Sequence, residues 1–342
     1  MQMPVFRSKW AYWGMLVLLW GALIGLSLVR MQSQPGLMFL LYAGSMGLLY
    51  MVTFHVLPDG EKSWLKNGWA IIAVGVVLRL FFLSVPPSDD MNRYAWEGMI
   101  QQRGLNPYLH APDSLHELGE GDAIYEGINH KDFPAVYPPA TMLTFRLVSA
   151  LVYPDTGYAP GEVYFGFKML FLLVDLGILL LAAALLKRWD KPKHWLVLYA
   201  WNPLVLHYGL GEGHLDLLQA FWLALGLWLL ADRKENAKEW LAGAGFAAIG
   251  MAVLSKYLAI IALPFLVSRR TIKWLPCALI PLLLYLPFLE PGLFDSLTRF
   301  SGDLHANDAL PKLLRLAGLT GVWLKLGMIG VLSGGLAAIW FI

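Results

Sequence analysis

The chain has 342 residues, 58% of them hydrophobic and 15% charged, with a formal net charge of +2 and a mean hydropathy of +0.56. Soluble domains are about 45–50% apolar and about 25% charged, so this composition reads as an integral, polytopic membrane protein. The small net charge says little about partners, and no basic cluster interleaved with aromatics suggests nucleic acid. The single cysteine, Cys277, sits in an apolar run and excludes a disulfide framework or a thiolate metal site.

Taken in order, the apolar segments long enough to cross a bilayer begin with residues 10–29, 36–57 and 68–85. The first lacks a small-residue cleavage site and reads as a retained helix. A short apolar segment, 140–152, is interrupted by Arg146 and is expected to dip into the membrane and return, or to lie at its interface. A clear span at 163–186 and a pair at 195–210 and 215–231 follow. Residues 241–266 are apolar but broken by Ser255-Lys256-Tyr257, and read as two half-helices. Residues 274–289 precede a polar loop, 290–312. The last apolar stretch, 313–342, has no polar tail, which reads as a shortened C-terminus. The expected fold is an all-α bundle of about ten to eleven spanning or partly spanning helices, in one domain with an N-terminal hairpin over 1–66.

Lys and Arg near helix ends set the orientation. Arg7, Lys9, Lys62, Lys66, Lys187, Arg188, Lys191, Lys193, Arg233, Lys234, Lys238, Arg269, Arg270 and Lys273 are assigned to the cytoplasmic side. The segment 86–139 then lies outside. So do Asp89, Asp90, Glu212, His214, Asp216, Lys256, His305 and Asp308.

The segment 86–139 is the longest polar stretch. It carries nine carboxylates against three basic residues up to Ala135. Long loops are more often functional or disordered, and this one has the aromatics that disordered segments lack. It is expected to fold and to carry the chemistry. Asp89 and Asp90 stand where the chain leaves the membrane. Each suits an N-cap for a helix starting at Met91, and each suits a general base whose pKa partial desolvation raises; adjacent side chains diverge, so one of the two is expected to enter a site.

Glu212-Gly213-His214-Leu215-Asp216 stands at the mouth of a span, where ionisable groups are costly and usually functional. His214 and Asp216 are candidates for a phosphate or sugar hydroxyls, or belong to a capped helix start. Lys256 either neutralises an anionic group or snorkels to the interface. Lys168 and Asp175 lie seven apart on one helix face and are expected to enter an ion pair between helices. In the second outer loop, His305, Asn307 and Asp308, with Arg299 and Arg315 nearby, either line the same cavity or form an ordinary polar loop. No cofactor is required by any motif. A divalent cation suits the carboxylates of Asp89, Asp90 and Asp216, but the spacing does not demand one.

Six pieces in order resemble the GT-C superfamily of membrane glycosyltransferases, and within it the polyprenyl-phosphate-mannose-dependent mannosyltransferases (glycosyltransferase family 87 and relatives). They are 88–98 (Ser-Asp-Asp-Met-Asn-Arg-Tyr-Ala-Trp-Glu-Gly), 104–108 (Gly-Leu-Asn-Pro-Tyr), and Ile128-Asn129-His130 with Val136-Tyr137-Pro138-Pro139. Then come Trp201-Asn202-Pro203-Leu204-Val205 with Gly213-His214-Leu215-Asp216, Ser255-Lys256-Tyr257, and Asn307-Asp308-Ala309-Leu310 with Leu313-Leu314-Arg315.

The resemblance implies transfer of mannose, with inversion, from a polyprenyl-phosphate donor to a hydroxyl of a glycan or glycolipid. It places the site on the extracytoplasmic face of the cytoplasmic membrane, among membrane lipids. It implies Asp90, three residues before Arg93-Tyr94, as catalytic base, with Asp89 the second choice. Lys256, His214, Arg93 and Arg299 are candidate partners of the leaving phosphate. Tyr94, Trp96, Tyr108 and Tyr137 either stack on sugars or pack the loop. Asn106, His130, Glu212, Asp216, Asn307 and Asp308 complete the expected substrate-binding set. Relatives are usually longer, and the first outer loop here follows the third span instead of the first, as though an N-terminal hairpin had been added. Two rival readings are a lipid or solute transporter, which predicts internal pseudo-symmetry that the sequence lacks, and a non-catalytic partner of a glycosyltransferase.

Overall fold

A computed structural model describes residues 9–29, 34–54, 67–153, 159–231, 240–303, 309–324, 326–328 and 330–331. Regular structure among them is entirely helical. The chain divides into two compact units, Met1–Leu289 and Glu290–Ile342, where the sequence reads as one domain. Arg7, Lys62, Lys66, Arg233, Lys234, Lys238, His305, Asn307 and Asp308 lie outside the described residues.

Helices α1 (Lys9–Leu28) and α2 (Pro35–Phe54) open the larger unit. α1 buries Tyr12, Leu16, Leu19, Leu23 and Leu26, a stripe at alternating four- and three-residue steps. Trp10, Val17 and Leu28 on its other side are exposed and equally apolar. α3 (Gly68–Phe82) is capped by Asn67, whose Oδ1 accepts from the Trp69 amide at 3.1 Å. Its inward face is Ile71, Gly75, Arg79 and Phe82.

Beyond α3 the polar segment folds as α4 (Asp90–Gln102), α5 (His116–Gly119) and α6 (Ala123–Glu126), and leads into α7 (Pro139–Val152). α7 is a single helix lying along α4. The two come so close at Gly98 that a Cβ there would run into the Phe145 carbonyl and the Ser149 hydroxyl. α8 (Pro160–Arg188) has 29 residues, about 43 Å of helix. After it come α9 (Val197–Ala200), α10 (Asp216–Leu230), α11 (Trp240–Ser255) and α12 (Leu263–Leu266). The smaller unit contains α13 (Asp295–Asp303) and α14 (Ala309–Leu316).

Among the described residues two helices, Pro35–Phe54 and Pro160–Arg188, are long and apolar enough to cross a membrane, and seven shorter helices are apolar. Two expected spans are not continuous α-helices. Residues 195–210 form the end of a 3₁₀ turn (Lys193–Leu196), α9, and a π-helix (Leu204–Gly211). Pro203 causes the break: it donates no N–H and forces its predecessor out of α geometry, and Asn202 Oδ1 takes the Leu204 amide at 2.9 Å. Residues 274–289 form most of a 3₁₀ helix, Ile272–Phe288, and its C-cap, because Pro276, Pro281 and Pro287 forbid a regular α ladder. The break after Ser255 is where the sequence puts it: Lys256 is extended, at φ −156°.

Asp175 enters the expected ion pair between helices, and Lys168 does not. Asp175 pairs with Arg79, Nε to Oδ2 at 2.7 Å, with neither side chain exposed. Arg79 also donates to the carbonyls of Gly75 and Ala200, and Tyr199 donates to Asp175 at 2.6 Å. Lys168 donates instead to the carbonyls of Leu83 and Val85, which fixes the chain where α3 ends.

Candidate active site

The site begins where two breaks in the helical pattern meet. The Ser88 amide donates to the Glu212 carbonyl at 2.9 Å, so the start of the α4 loop is pinned to the end of the π-helix. Gly213 turns the chain there with φ +79°, and a Cβ at that position would collide with Met91. Asp90 thereby opens α4 directly opposite His214.

Three ionisable side chains form a line. Asp90 Oδ2 lies 3.5 Å from His214 Nδ1, and His214 Nε2 lies 3.5 Å from Glu212 Oε2. The Tyr208 ring stacks on the His214 imidazole at 3.7 Å. Asp90 Oδ1 accepts a hydrogen bond from Asn129 Nδ2 at 2.8 Å. The Asp90 side chain is 31% exposed, so it is reachable while half-shielded.

The hydrogen bond from His214, with that from Asn129, holds the Asp90 carboxyl below its usual range against the opposing effect of burial, so it is lowered where desolvation alone is expected to raise it. Burial works against a charged His214, but Asp90 and Glu212 together outweigh it and push the imidazole up to about 8. At neutral pH the site is therefore an imidazolium between two carboxylates.

Beside this line, Lys256 donates to Asp216, the first residue of α10. The pair is open to solvent, 38% and 43% exposed. The charge of Asp216 reaches the Tyr208 ring, as do those of Asp90 and Glu212.

Asp89 takes no part in that line. It is exposed, and although it occupies the N-cap position of α4 its side chain caps nothing; the expected cap hydrogen bond is absent because Asp89 is itself in helical geometry. Arg93 is buried and clamps the loop. It donates to Glu97, to the carbonyls of His130 (2.7 Å) and Asn129 (3.3 Å), and to that of Phe133. That clamp presents the Asn129 side chain to Asp90. His130 contributes through its carbonyl, at φ 47°, with its side chain exposed.

The aromatics of the loop are mostly packing. Trp96 is fully buried against Tyr125 at 4.9 Å. Tyr94 stacks on Phe145 at 4.5 Å and meets Tyr137 edge-on at 5.8 Å. Burial, with Asp90 and Glu97 nearby, raises the Tyr137 phenol above its ordinary range. Tyr108 donates to the Tyr137 carbonyl at 2.7 Å, and its ring meets Phe288 edge-on at 5.2 Å. Asn106 donates to the Phe288 carbonyl at 3.2 Å. Arg299 is exposed on α13 in the smaller unit.

Asn129, Tyr208, His207 and Tyr42 reach the site without having been singled out for it. Asn129 stands inside the quoted Ile128-Asn129-His130 piece. His207 and Tyr208 carry a weaker signal, two polar rings in an apolar run next to Glu212. Among the described residues no group of three or more His, Cys, Asp or Glu is arranged to hold a metal ion.

A family model described as alpha-(1->6)-mannopyranosyltransferase, N-terminal domain (MptA_B family), matches residues 14–271. That range includes the Asp90, Glu212, His214, Asp216 and Lys256 cluster. No curated protein and no solved structure matches the chain.

Proposed function

The chain belongs to the alpha-(1->6)-mannopyranosyltransferase family, and from that membership we propose that it is a polytopic, GT-C-type membrane enzyme that moves a mannosyl group from a polyprenyl-phosphate donor to a hydroxyl of a glycan or glycolipid at the outer face of the cytoplasmic membrane. The observation that supports the reading best is the partly exposed Asp90 carboxylate held by Asn129 and the His214 cation, in a chain that also presents the solvent-open Lys256–Asp216 pair.

In this mechanism the acceptor hydroxyl gives its proton to Asp90 as its oxygen bonds to the anomeric carbon. The bond from that carbon to the phosphate oxygen breaks on the opposite side, and polyprenyl phosphate leaves with the electron pair. The configuration inverts, so an α linkage requires a β-linked donor. General-base assistance of this kind is worth roughly 100- to 10,000-fold. Because His214 keeps the Asp90 carboxyl ionised throughout the neutral range, the base is ready without a titration step. The growing charge on the phosphate meets the His214 imidazolium and the Lys256 ammonium, for which Lys256 exchanges Asp216 for the phosphate. Arg93 acts as the clamp that delivers Asn129. Asp89, Arg299, Asn307 and Asp308 are left without an assigned step, and none of the steps invokes a metal.

The test is transfer from radiolabelled polyprenyl phosphate mannose, in both anomers, by the purified protein in lipid vesicles. An α-mannosylated lipid or glycan product from the β anomer alone supports the proposal. A product from neither anomer, in folded protein with added membrane acceptors, refutes it. The transporter reading gains nothing from the membrane helices, since Arg79, Asp175 and Lys168 are all engaged within the protein.

A further inference from the structure

The N-terminal hairpin reaches the active-site line through one imidazole. His207, buried to 1% exposure, lies in the π-helix one turn before Glu212. Its Nδ1 meets the Tyr42 hydroxyl of α2 at 2.7 Å, and the ring also hydrogen-bonds the backbone at Leu26 of α1. Taking the Leu26 contact as Nε2–H to the carbonyl leaves Nδ1 as the acceptor, with Tyr42 donating to it. Glu212 stands just beyond, its Oε1 4.0 Å from the same Nδ1 and its Oε2 3.5 Å from His214. A 4.0 Å separation is not a hydrogen bond.

We infer that Tyr42 and His207 are positioning residues: by occupying Nδ1, the Tyr42 hydroxyl keeps His207 neutral and reserves the charge of Glu212 for His214. The inference deepens the proposed mechanism and rests on it for any effect on transfer, but not for the electrostatics themselves.

The surroundings agree. The groups facing the two rings are Asp90 from α4, Glu212 and Tyr208 from the π-helix, Tyr42 from α2, and Lys168 from α8. With the Tyr42 hydroxyl gone, Nδ1 is open, and a proton there makes His207 a direct partner for Glu212. His214 then keeps Asp90 but shares its second carboxylate, and its own proton is held less firmly.

The experiment is a pH titration of His214 by NMR on carbon-13-labelled histidine, in protein held in lipid nanodiscs with no substrate present. The His214 signal is identified by its loss in His214→Gln. In the Tyr42→Phe variant the His214 midpoint moves down from about 8 by about one pH unit. In the double variant Tyr42→Phe with His207→Gln the midpoint returns, because glutamine can meet the Leu26 carbonyl yet cannot take a proton. A midpoint unmoved in Tyr42→Phe, or one not restored in the double variant, overturns the inference. A hydroxyl that only packs the hairpin would lower stability in both variants and leave the His214 midpoint where it is. Should the midpoint move as stated while the wild type transfers no mannose, the mechanism fails and the electrostatic coupling stands.

Discussion

Two ionic pairs in the larger unit look alike on paper and differ in use. Arg79 and Asp175 are wholly buried, and Tyr199 and the carbonyls of Gly75 and Ala200 add further hydrogen bonds to them. Lys256 and Asp216 are each about two-fifths exposed. A wholly buried pair is expensive to break and is closed to a ligand. A half-exposed pair contributes little to stability and can trade partners when a phosphate arrives. The same contrast separates Arg93, engaged on Glu97 and three carbonyls, from His214, whose carboxylate contacts are 3.5 Å long. Charge alone does not mark a site; accessible charge with exchangeable partners does.

The comparison can be broken most forcefully from the buried side. Arg79→Met leaves the Asp175 carboxylate unpaired in the interior and costs about 3–5 kcal/mol, read as a lower unfolding temperature, with transfer falling only as the folded fraction falls. On the exposed side, Lys256→Met should lower transfer roughly 100-fold. Its stability should change by less than about 1 kcal/mol, because the lost pair is screened by water. Equal loss of stability in the two variants would erase the distinction.

Smaller effects sharpen it. Gly98→Ala drives a methyl group into the Phe145 carbonyl and costs about 1–3 kcal/mol, with the helices that frame the site forced apart; thermal unfolding and transfer should fall together. The pH profile gives the finest test. His214 is raised from 6.5 to about 8 in the folded protein, so its positive charge is fully present below 6.5 and is lost as pH rises through about 8. Transfer should decline over that alkaline window. In His214→Gln the decline should be missing and the plateau should sit roughly tenfold lower.

Much of this organisation is legible in the sequence. Ser255-Lys256-Tyr257 interrupts an apolar run, and the helix ends there. Asp90, Glu212, His214, Asp216 and Lys256 are singled out in the sequence, and the fold joins Asp90, His214 and Glu212 in one line and Lys256 to Asp216. The aromatic content of 86–139 says that the loop folds. Other features are hidden for a physical reason. In a helix apolar on every face, the inward stripe has no polar counterpart to reveal it. Arg79 stands in register with Ile71, Gly75 and Phe82, and Asp175 in register with Lys168 and Phe171. Neither helix shows which partner it faces, so an ion pair between helices is expected at 175 while its partner at 79 stays invisible. Tyr42 is hidden in the same way, as one aromatic in an apolar hairpin. The π-helix at Leu204–Gly211 is signalled only by Asn202-Pro203, which announces a break but not the winding that follows.

The measurement that bears most directly on the account is mannose transfer by Asp90→Asn set against Asp89→Asn, at matched folding and expression. Asp90 is bonded to Asn129 and His214, whereas Asp89 is exposed and caps nothing. The account predicts that Asp90→Asn loses roughly 100- to 10,000-fold in transfer while Asp89→Asn stays within a few-fold of wild type. Unchanged transfer in Asp90→Asn, or a comparable loss in Asp89→Asn alone, would contradict it.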